Sequence, residues 1–521
     1  MTTWITPPTT GGERLDGTGL TLLTADRVLT GRRGDLPGTL EVIGEPGLPP
    51  APGGPARDDT APAPGVQEAR AASGTDDDVP RPAPSAGGAV LVEGRTIVAV
   101  GPVAELAART DQQERAGRRV NRIHLPGTTL MPGLVETHAH LATSDTDVEY
   151  PDYGPHEVAR LSLNAARAAR ELLSIGVTSV QSLGARHYVD VALREAIDNG
   201  DLRGPRVRAS GPQITTTAGH SWHAGAEVDG LDGIRHEVRH HHKMGVDTVK
   251  VMATGGFMTG GSAPWFAQFT TEELTLLVAE AHRLGEWSAA HAHGTQGIER
   301  AVSAGVDYIA HASFISASGR TEFDPYLADR IAEAGIYVDA TITPAMPAMV
   351  AADSSFAPPA RLLWEHGVRI VTGHDSGIPS VPHRGYVGGL EALEVVGLPR
   401  TEVVLAATSR AAAAIGQAGV TGVLDAGFDA DLIAVSGDPR QGLDALRHLE
   451  LVVARGREYV PDAVAGLPAE LVGDLGAVAA AEAGGVAEDT EEPARRNPIG
   501  PAATLAVWRT RSERAARHPE V

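Results

Sequence analysis

The sequence predicts an α/β protein, a TIM-like (β/α)8 barrel carrying a small β-sandwich domain formed from both chain ends. Three observations predict it. Eight short apolar runs recur between residues 134 and 376, separated by amphipathic or Ala-rich stretches. Several of those stretches end in Gly followed by a strand-like run, as in SIGVTSV, SAGVDYI and EHGVRIV. A C-cap Gly leading back into the next strand has that form. Finally, strand-like runs flank this region on both sides.

In chain order, LTLLTADRVLTGR (20–32) and AVLVEGRTIVAVG (89–101) read as strands of the small domain. Residues 45–88 between them are rich in Pro, Gly, Ala and Asp. Such a stretch buries too little apolar surface to offset its ordering entropy, so it reads as a disordered insertion. The barrel is assigned to residues 128–415. Its strands are LVETHAH (134–140), VTSVQSL (177–183), RVRASG (206–211), DTVKVMATGG (247–256), WSAAHAHG (287–294), DYIAHAS (307–313), IYVDATI (336–342) and RIVTGHDS (369–376). ADLIAVSGD (430–438) and LELVVARGREYV (449–460) return to strand. The small domain is therefore assigned to 18–127 and 416–461. Residues 462–521 form a C-terminal extension with no assigned fold, apart from a helix expected near 502–517.

The 521 residues carry 66 Asp+Glu against 44 Lys+Arg, a net charge of −22. A polyanion repels such a chain, which argues against nucleic-acid or anionic-membrane partners. No apolar run is long enough to span a bilayer, and the N-terminus lacks a secretory pattern, so a cytoplasmic location is expected. The chain has no Cys and 20 His. Disulfides, thiolate ligands and thiol nucleophiles are excluded, and any metal must be held by His, carboxylate or modified Lys.

His138 and His140 form His-x-His at the end of the first barrel run. Residues i and i+2 of a strand face one side, and barrel active sites sit at the strands' C-terminal ends. Lys250 lies within an apolar run, where a Lys is costly unless paired or neutralised. It reads either as a salt-bridged Lys or as a carbamate formed with CO2. His291 and His311 end the fifth and sixth runs, His293 follows two residues after His291, and Asp375 ends the eighth. Imidazole and carboxylate donors gathered at one barrel mouth suit Zn2+ or another first-row divalent ion. The histidines at 236, 240, 241 and 242 instead read as a solvated outer helix face. GGFMTGG (255–261) lacks the Gly-Lys-Ser/Thr of a phosphate loop and reads as a loop over the active-site mouth, contacting substrate.

These residues, with LPGTTLMPGLVETHAHL, GPRVRASGPQITTTAGH, VKVMATGG, AAHAHGTQGIERAVSAGVDYIAHASF, VTGHDSG and GVLDAGFDADLIAVSGDP, resemble the amidohydrolase superfamily. The similarity is to its binuclear branch of imidazolonepropionase-like and Xaa-Pro dipeptidase-like proteins. It covers roughly 20–33 and 89–460. It implies two divalent metal ions, with zinc the expected metal. His138, His140 and Asp375 would hold one ion, His291 and His311 the second, and Lys250, carboxylated by CO2, would bridge both. His291 rather than His293 matches the ligand position. Asp375 would also be the catalytic proton carrier. His220 is implied as a second catalytic group and substrate contact, with His293 and His374 as further substrate-binding candidates. This chain departs from the family pattern at Glu136, at Gln181-Ser182 and at His374.

The implied function is hydrolysis of an amide C–N bond, in a dipeptide or N-acyl amino acid, by a metal-activated hydroxide. The alternatives are a cyclic amide or lactam (imidazolone-type) substrate and a mononuclear deaminase. Deaminases of the superfamily lack the bridging Lys, so Lys250 argues against the last. A non-enzymatic relative should show lost ligands, and none is lost here. The expected partner is a small-molecule substrate, and the resemblance implies a homo-oligomer.

Overall fold

The computed structural model describes residues 14–34, 38–44, 87–145, 153–352 and 357–462. The proposed insertion lies outside these residues except at its last two positions. Apart from Asp462, the C-terminal extension with its expected helix lies outside them as well.

Strands from both ends of the described chain join in one mixed eight-stranded sheet. They are β1 (Leu20–Arg33), β2 (Leu40–Gly44), β3 (Gly88–Glu93), β4 (Thr96–Pro102), β5 (Val120–Pro132), β16 (Leu432–Ser436), β17 (Leu449–Ala454) and β18 (Arg457–Glu458). The main path runs β18-β17-β16-β5-β1-β3-β4, and β2 pairs with β1. Alternation along β1 sends Leu20 and Leu22 towards α1 (Val103–Arg115) and Leu23 and Ala25 into a second cluster. That second cluster contains Ile97 of β4 together with Leu451 and Val453 of β17, so strands far apart in the sheet order meet across it.

The eight runs of the central region are all strands. β6 (Leu134–Ala139), β7 (Val177–Ser182) and β8 (Arg206–Arg208) form a parallel three-stranded sheet. A seven-stranded sheet runs β10-β9-β11-β12-β13-β14-β15. It comprises β9 (Ile214–Thr215), β10 (Ala226–Glu227), β11 (Thr248–Met252), β12 (Trp287–Ala292), β13 (Tyr308–His311), β14 (Tyr337–Asp339) and β15 (Arg369–Val371). Backbone bonds link the two sheets at both margins. Thr137 N donates to Thr372 O at 3.1 Å and His140 N to Ser376 O at 2.6 Å on one side. Asp247 N donates to Ala209 O at 2.8 Å on the other.

Helices α2 (Glu157–Ser174), α3 (Val189–Asp198), α4 (Gly230–Met244), α5 (Thr271–Leu284), α6 (Thr295–Ala304) and α7 (Pro325–Glu333) separate these strands. The shorter α8 (Met346–Ala352), α9 (Ala360–Glu365), α10 (Tyr386–Val395), α11 (Arg400–Ala406) and α12 (Ser409–Ala414) are the other α-helices among the described residues. The expected helix-ending glycines Gly176, Gly305 and Gly367 have φ of 84°, 79° and 82°, a left-handed conformation that costs Gly little. Apolar helix stripes such as Leu274, Leu277, Val278 and Ala281 of α5 pack with Val249, Ile309 and Val338 in one large core.

One expectation about α4 is corrected. His241 is fully buried, its ring within 2.8 Å of Pro212 O and 3.0 Å of Glu237 O. It continues the buried stripe Ile234, Val238, so only part of the His cluster is solvated. Among the described residues, no helix is long and apolar enough to cross a membrane.

Candidate metal centre and active site

The parallel strands deliver polar side chains to one end. His138 lies near the C-terminus of β6 and His140 just beyond it. Lys250 is in β11, His291 in β12, His311 ends β13, and Asp375 follows β15 by four residues. The backbone of His311 and Asp375 is left-handed, with φ of 74° and 57°. Such values are uncommon outside Gly and concentrate where function over-determines the chain.

Among the described residues two groups of three possible ligands form, His138, His140, Asp375 and His291, His293, His311. Within each, the ligand atoms lie within 4.8 Å of one another. In the first, Nε2 of His138 and of His140 lie 3.1 and 2.8 Å from Asp375 Oδ1. That oxygen nevertheless has no hydrogen-bond partner among the described residues. The two nitrogens and this oxygen therefore crowd one point, as donors around a shared ion would. In the second, His293 stacks on His311 with ring centroids 4.2 Å apart, and His291 lies 4.5 Å from His311. The groups adjoin, because the His138 and His311 rings are 5.4 Å apart.

Supporting bonds leave one nitrogen of most rings free to coordinate. Nδ1 of His138 meets Asp339 Oδ2 at 2.8 Å, which leaves Nε2 for the cluster. Nδ1 of His311 meets Thr341 Oγ1 at 2.9 Å, and Thr341 Oγ1 lies 3.1 Å from the same Asp339 oxygen. His291 Nε2 faces Gly255 O at 3.0 Å and so must donate, freeing Nδ1. The partner of an imidazole's second nitrogen sets its tautomer and orientation in just this way.

Burial shapes the charges. It lowers the Lys250 amine to about 8, although Asp375 and Asp339 pull it upward. Burial also lowers His220 to about 4 and His293 to about 3, and puts His291 and His311 well below the ordinary imidazole range. His138 is the exception. Burial opposes its charge, but Asp375 and Asp339 outweigh it and raise the ring to about 8. Asp375 is held well below the carboxylate range, because His138 and His140 outweigh its burial.

The buried atoms without hydrogen-bond partners among the described residues include Lys250 Nζ, His311 Nε2, Asp375 Oδ1 and His220 Nδ1. Buried polar atoms are normally paired, so the orphans of Lys250, His311 and Asp375 at one strand end, with nitrogen and carboxylate chemistry, fit divalent cations. His220 lies on the loop after β9, its ring 4.7 Å from that of His291. Gly256 lets the 255–261 loop approach, since a Cβ there would overlap the His220 ring. Phe257 of that loop packs edge-on to His293, with centroids 4.9 Å apart.

His374, expected to contact substrate, is buried. Its ring turns into the interior, with Nδ1 3.0 Å from Glu136 Oε2 and an edge-on contact to Tyr386. His293 sits closer to the cluster than expected, as a third donor beside His291 and His311. Sequence reasoning missed Asp339 and Thr341 of the seventh run, although an acid at the end of an apolar strand is the same signal that marks Asp375.

Residues 129–465 match the amidohydrolase family. Ochratoxinase of Aspergillus niger is 30% identical over 414 residues, spanning 70% of this chain and 80% of that protein. A crystal structure of a Xaa-Pro dipeptidase with bound methionine superposes with a TM-score of 0.65 at 23% identity, covering 85% of this chain and all (100%) of that one. The A. niger ochratoxinase crystal structure gives 0.63 at 24% identity, covering 85% and 96%. Together with the family match, this makes the chain a member of the amidohydrolase family, a hydrolase acting on carbon–nitrogen bonds.

Proposed function

We propose that this enzyme cleaves the amide bond of a dipeptide or an N-acyl amino acid. One observation carries the reading: two adjoining three-donor groups, with Asp375 Oδ1, His311 Nε2 and the neighbouring Lys250 Nζ buried and without hydrogen-bond partners among the described residues. Similarity to proteins named Xaa-Pro dipeptidase and ochratoxinase supports the substrate class. The aromatic ring of Phe257 beside His293 suits an apolar substituent next to the scissile bond.

In this proposal His138, His140 and Asp375 hold one divalent ion, zinc first, and His291 and His311 the other, with His293 alongside. Bound there, such cations lower the pKa of water and polarise a carbonyl. Lys250 lies near both groups, and its lowered pKa makes the neutral amine accessible close to neutrality. The amine nitrogen adds to CO2 and loses one proton, giving the carbamate anion. Asp375, held ionised by its imidazole neighbours, accepts a proton and passes it to the leaving nitrogen. His220 is neutral near pH 7, so one of its ring nitrogens carries a hydrogen to donate to the substrate carbonyl or carboxylate oxygen.

The finer architecture belongs to the same proposal. The bonds at both sheet margins support closure into a (β/α)8 barrel over residues 128–415. The cluster joining β4 to β17 supports a β-sandwich domain from 18–127 and 416–461. A cytoplasmic homo-oligomer is the proposed assembly, tested by sedimentation of the purified chain. The function is tested by elemental analysis and by assaying dipeptides, N-acyl amino acids and cyclic amides. Two equivalents of divalent ion and turnover of the linear amides are expected. Less than one equivalent after growth with added zinc, or turnover of cyclic amides alone, would overturn it.

A further inference from the structure

Glu136 is fully buried on β6, two residues before His138. Its carboxylate meets three N–H groups. Oε1 accepts from the backbone N of His138 at 2.9 Å and of His374 at 3.2 Å. Oε2 lies 3.0 Å from Nδ1 of His374, which must donate to it. One side chain thus ties together the two segments that carry His138, His140 and Asp375. The residue after His374 is Asp375, whose φ of 57° the chain must hold against its preference. Ser376 N to His138 O at 3.3 Å secures the far side of that residue, and Glu136 secures the near side.

The His374 ring is fixed in turn. It packs edge-on to Tyr386, centroids 4.8 Å apart, and Tyr386 donates its hydroxyl to Val135 O on β6 at 2.6 Å. Its Nε2 lies so close to Gly389 of α10 that a Cβ there would overlap the ring. Gly in a helix interior is unfavourable relative to Ala, so helix formation does not explain this residue.

We infer that Glu136, His374 and Gly389 act as one positioning unit that holds Asp375 in register with His138 and His140. The strength of that cation site is then set partly by a helix glycine that touches none of its ligands. This rests on the metal reading above.

Zn2+ titration of the full-length protein against a competing chromophoric chelator, with Co2+ absorption as a second probe, tests it. Wild type should take up two ions. Gly389→Ala should weaken one by about tenfold or more and spare the other, the scale seen when outer supports of a metal ligand are lost. His374→Ala should do likewise. In the double variant Gly389→Ala should add nothing, because the ring it displaces is gone. A Gly389→Ala protein with both ions at wild-type affinity, or losses that add, would overturn the inference. If Gly389→Ala alone fails to fold, the double variant must fold as well as His374→Ala, and its failure would also overturn it. A wild type that binds no ion would refute the metal reading instead.

Discussion

Asp339 and His138 form a buried pair across β14 and β6, carboxylate Oδ2 to imidazole Nδ1 at 2.8 Å. A carboxylate only accepts, so Nδ1 carries a hydrogen and Nε2 is the nitrogen left facing Asp375. Through Thr341 the same oxygen reaches His311 of the other group. Asp339→Asn keeps the shape but removes the charge that fixes this tautomer. Zn2+ affinity should fall by about 10–100-fold with the fold retained. Unchanged affinity in a competition titration would show that Asp339 only packs.

Lys250 is 1% exposed and its Nζ has no hydrogen-bond partner among the described residues. A salt-bridged Lys would show a carboxylate at contact distance, and no such ion pair is present among them. If Lys250 carries the proposed carbamate, Lys250→Ala should cut kcat by about a thousandfold, a few kcal/mol of barrier. Added acetate or propionate should restore part of it. A variant within tenfold of wild type would rule out the carbamate.

His220 stands outside both ligand groups, so His220→Asn should leave metal content unchanged. If the ring donates to the reacting carbonyl, kcat falls by about a hundredfold with KM little changed. If it holds a substrate carboxylate, KM rises instead. Loss of a metal ion in this variant would make His220 a ligand and sink both roles.

How much of this was legible in the sequence depends on the range of each signal. All eight apolar runs of the central region are strands, because a strand–helix alternation repeats locally. β9 and β10, two residues each, are too short to carry a periodicity. His138, His140, Lys250, His291, His311 and Asp375 were legible as polar groups set at or within apolar runs. Asp339 carries the same local signal as Asp375, an acid at the end of an apolar strand, but its role rests on a partner 201 residues away that nothing local marks. His374 adjoins a ligand in sequence, yet its destination depends on a gap at Gly389 that only packing reveals. His241 was readable, because 234, 238 and 241 fall on one helical stripe.

The metal-free protein should be most stable near pH 6.5. His220, His293 and His383 are buried with pKa values lowered to about 4, 3 and 3, burial being the main cause in each. In the unfolded chain each titrates near 6.5. Between about 6.5 and 4 the unfolded state therefore binds more protons, and stability falls as pH falls. Each ring contributes roughly 1.4 kcal/mol per pH unit, up to about 4 kcal/mol per unit for the three. His138 works in the opposite sense, its ring raised to about 8. Its contribution is fully present below about 6.5 and is lost as pH rises through 8. Urea unfolding of the chelated protein from pH 4.5 to 8.5 measures both limbs. Saturating Zn2+ should raise stability across the range, since a ligand that binds only the folded state stabilises it by RT ln(1 + [L]/Kd). A flat profile between pH 6.5 and 5 would mean that these rings are hydrated or already protonated in the fold.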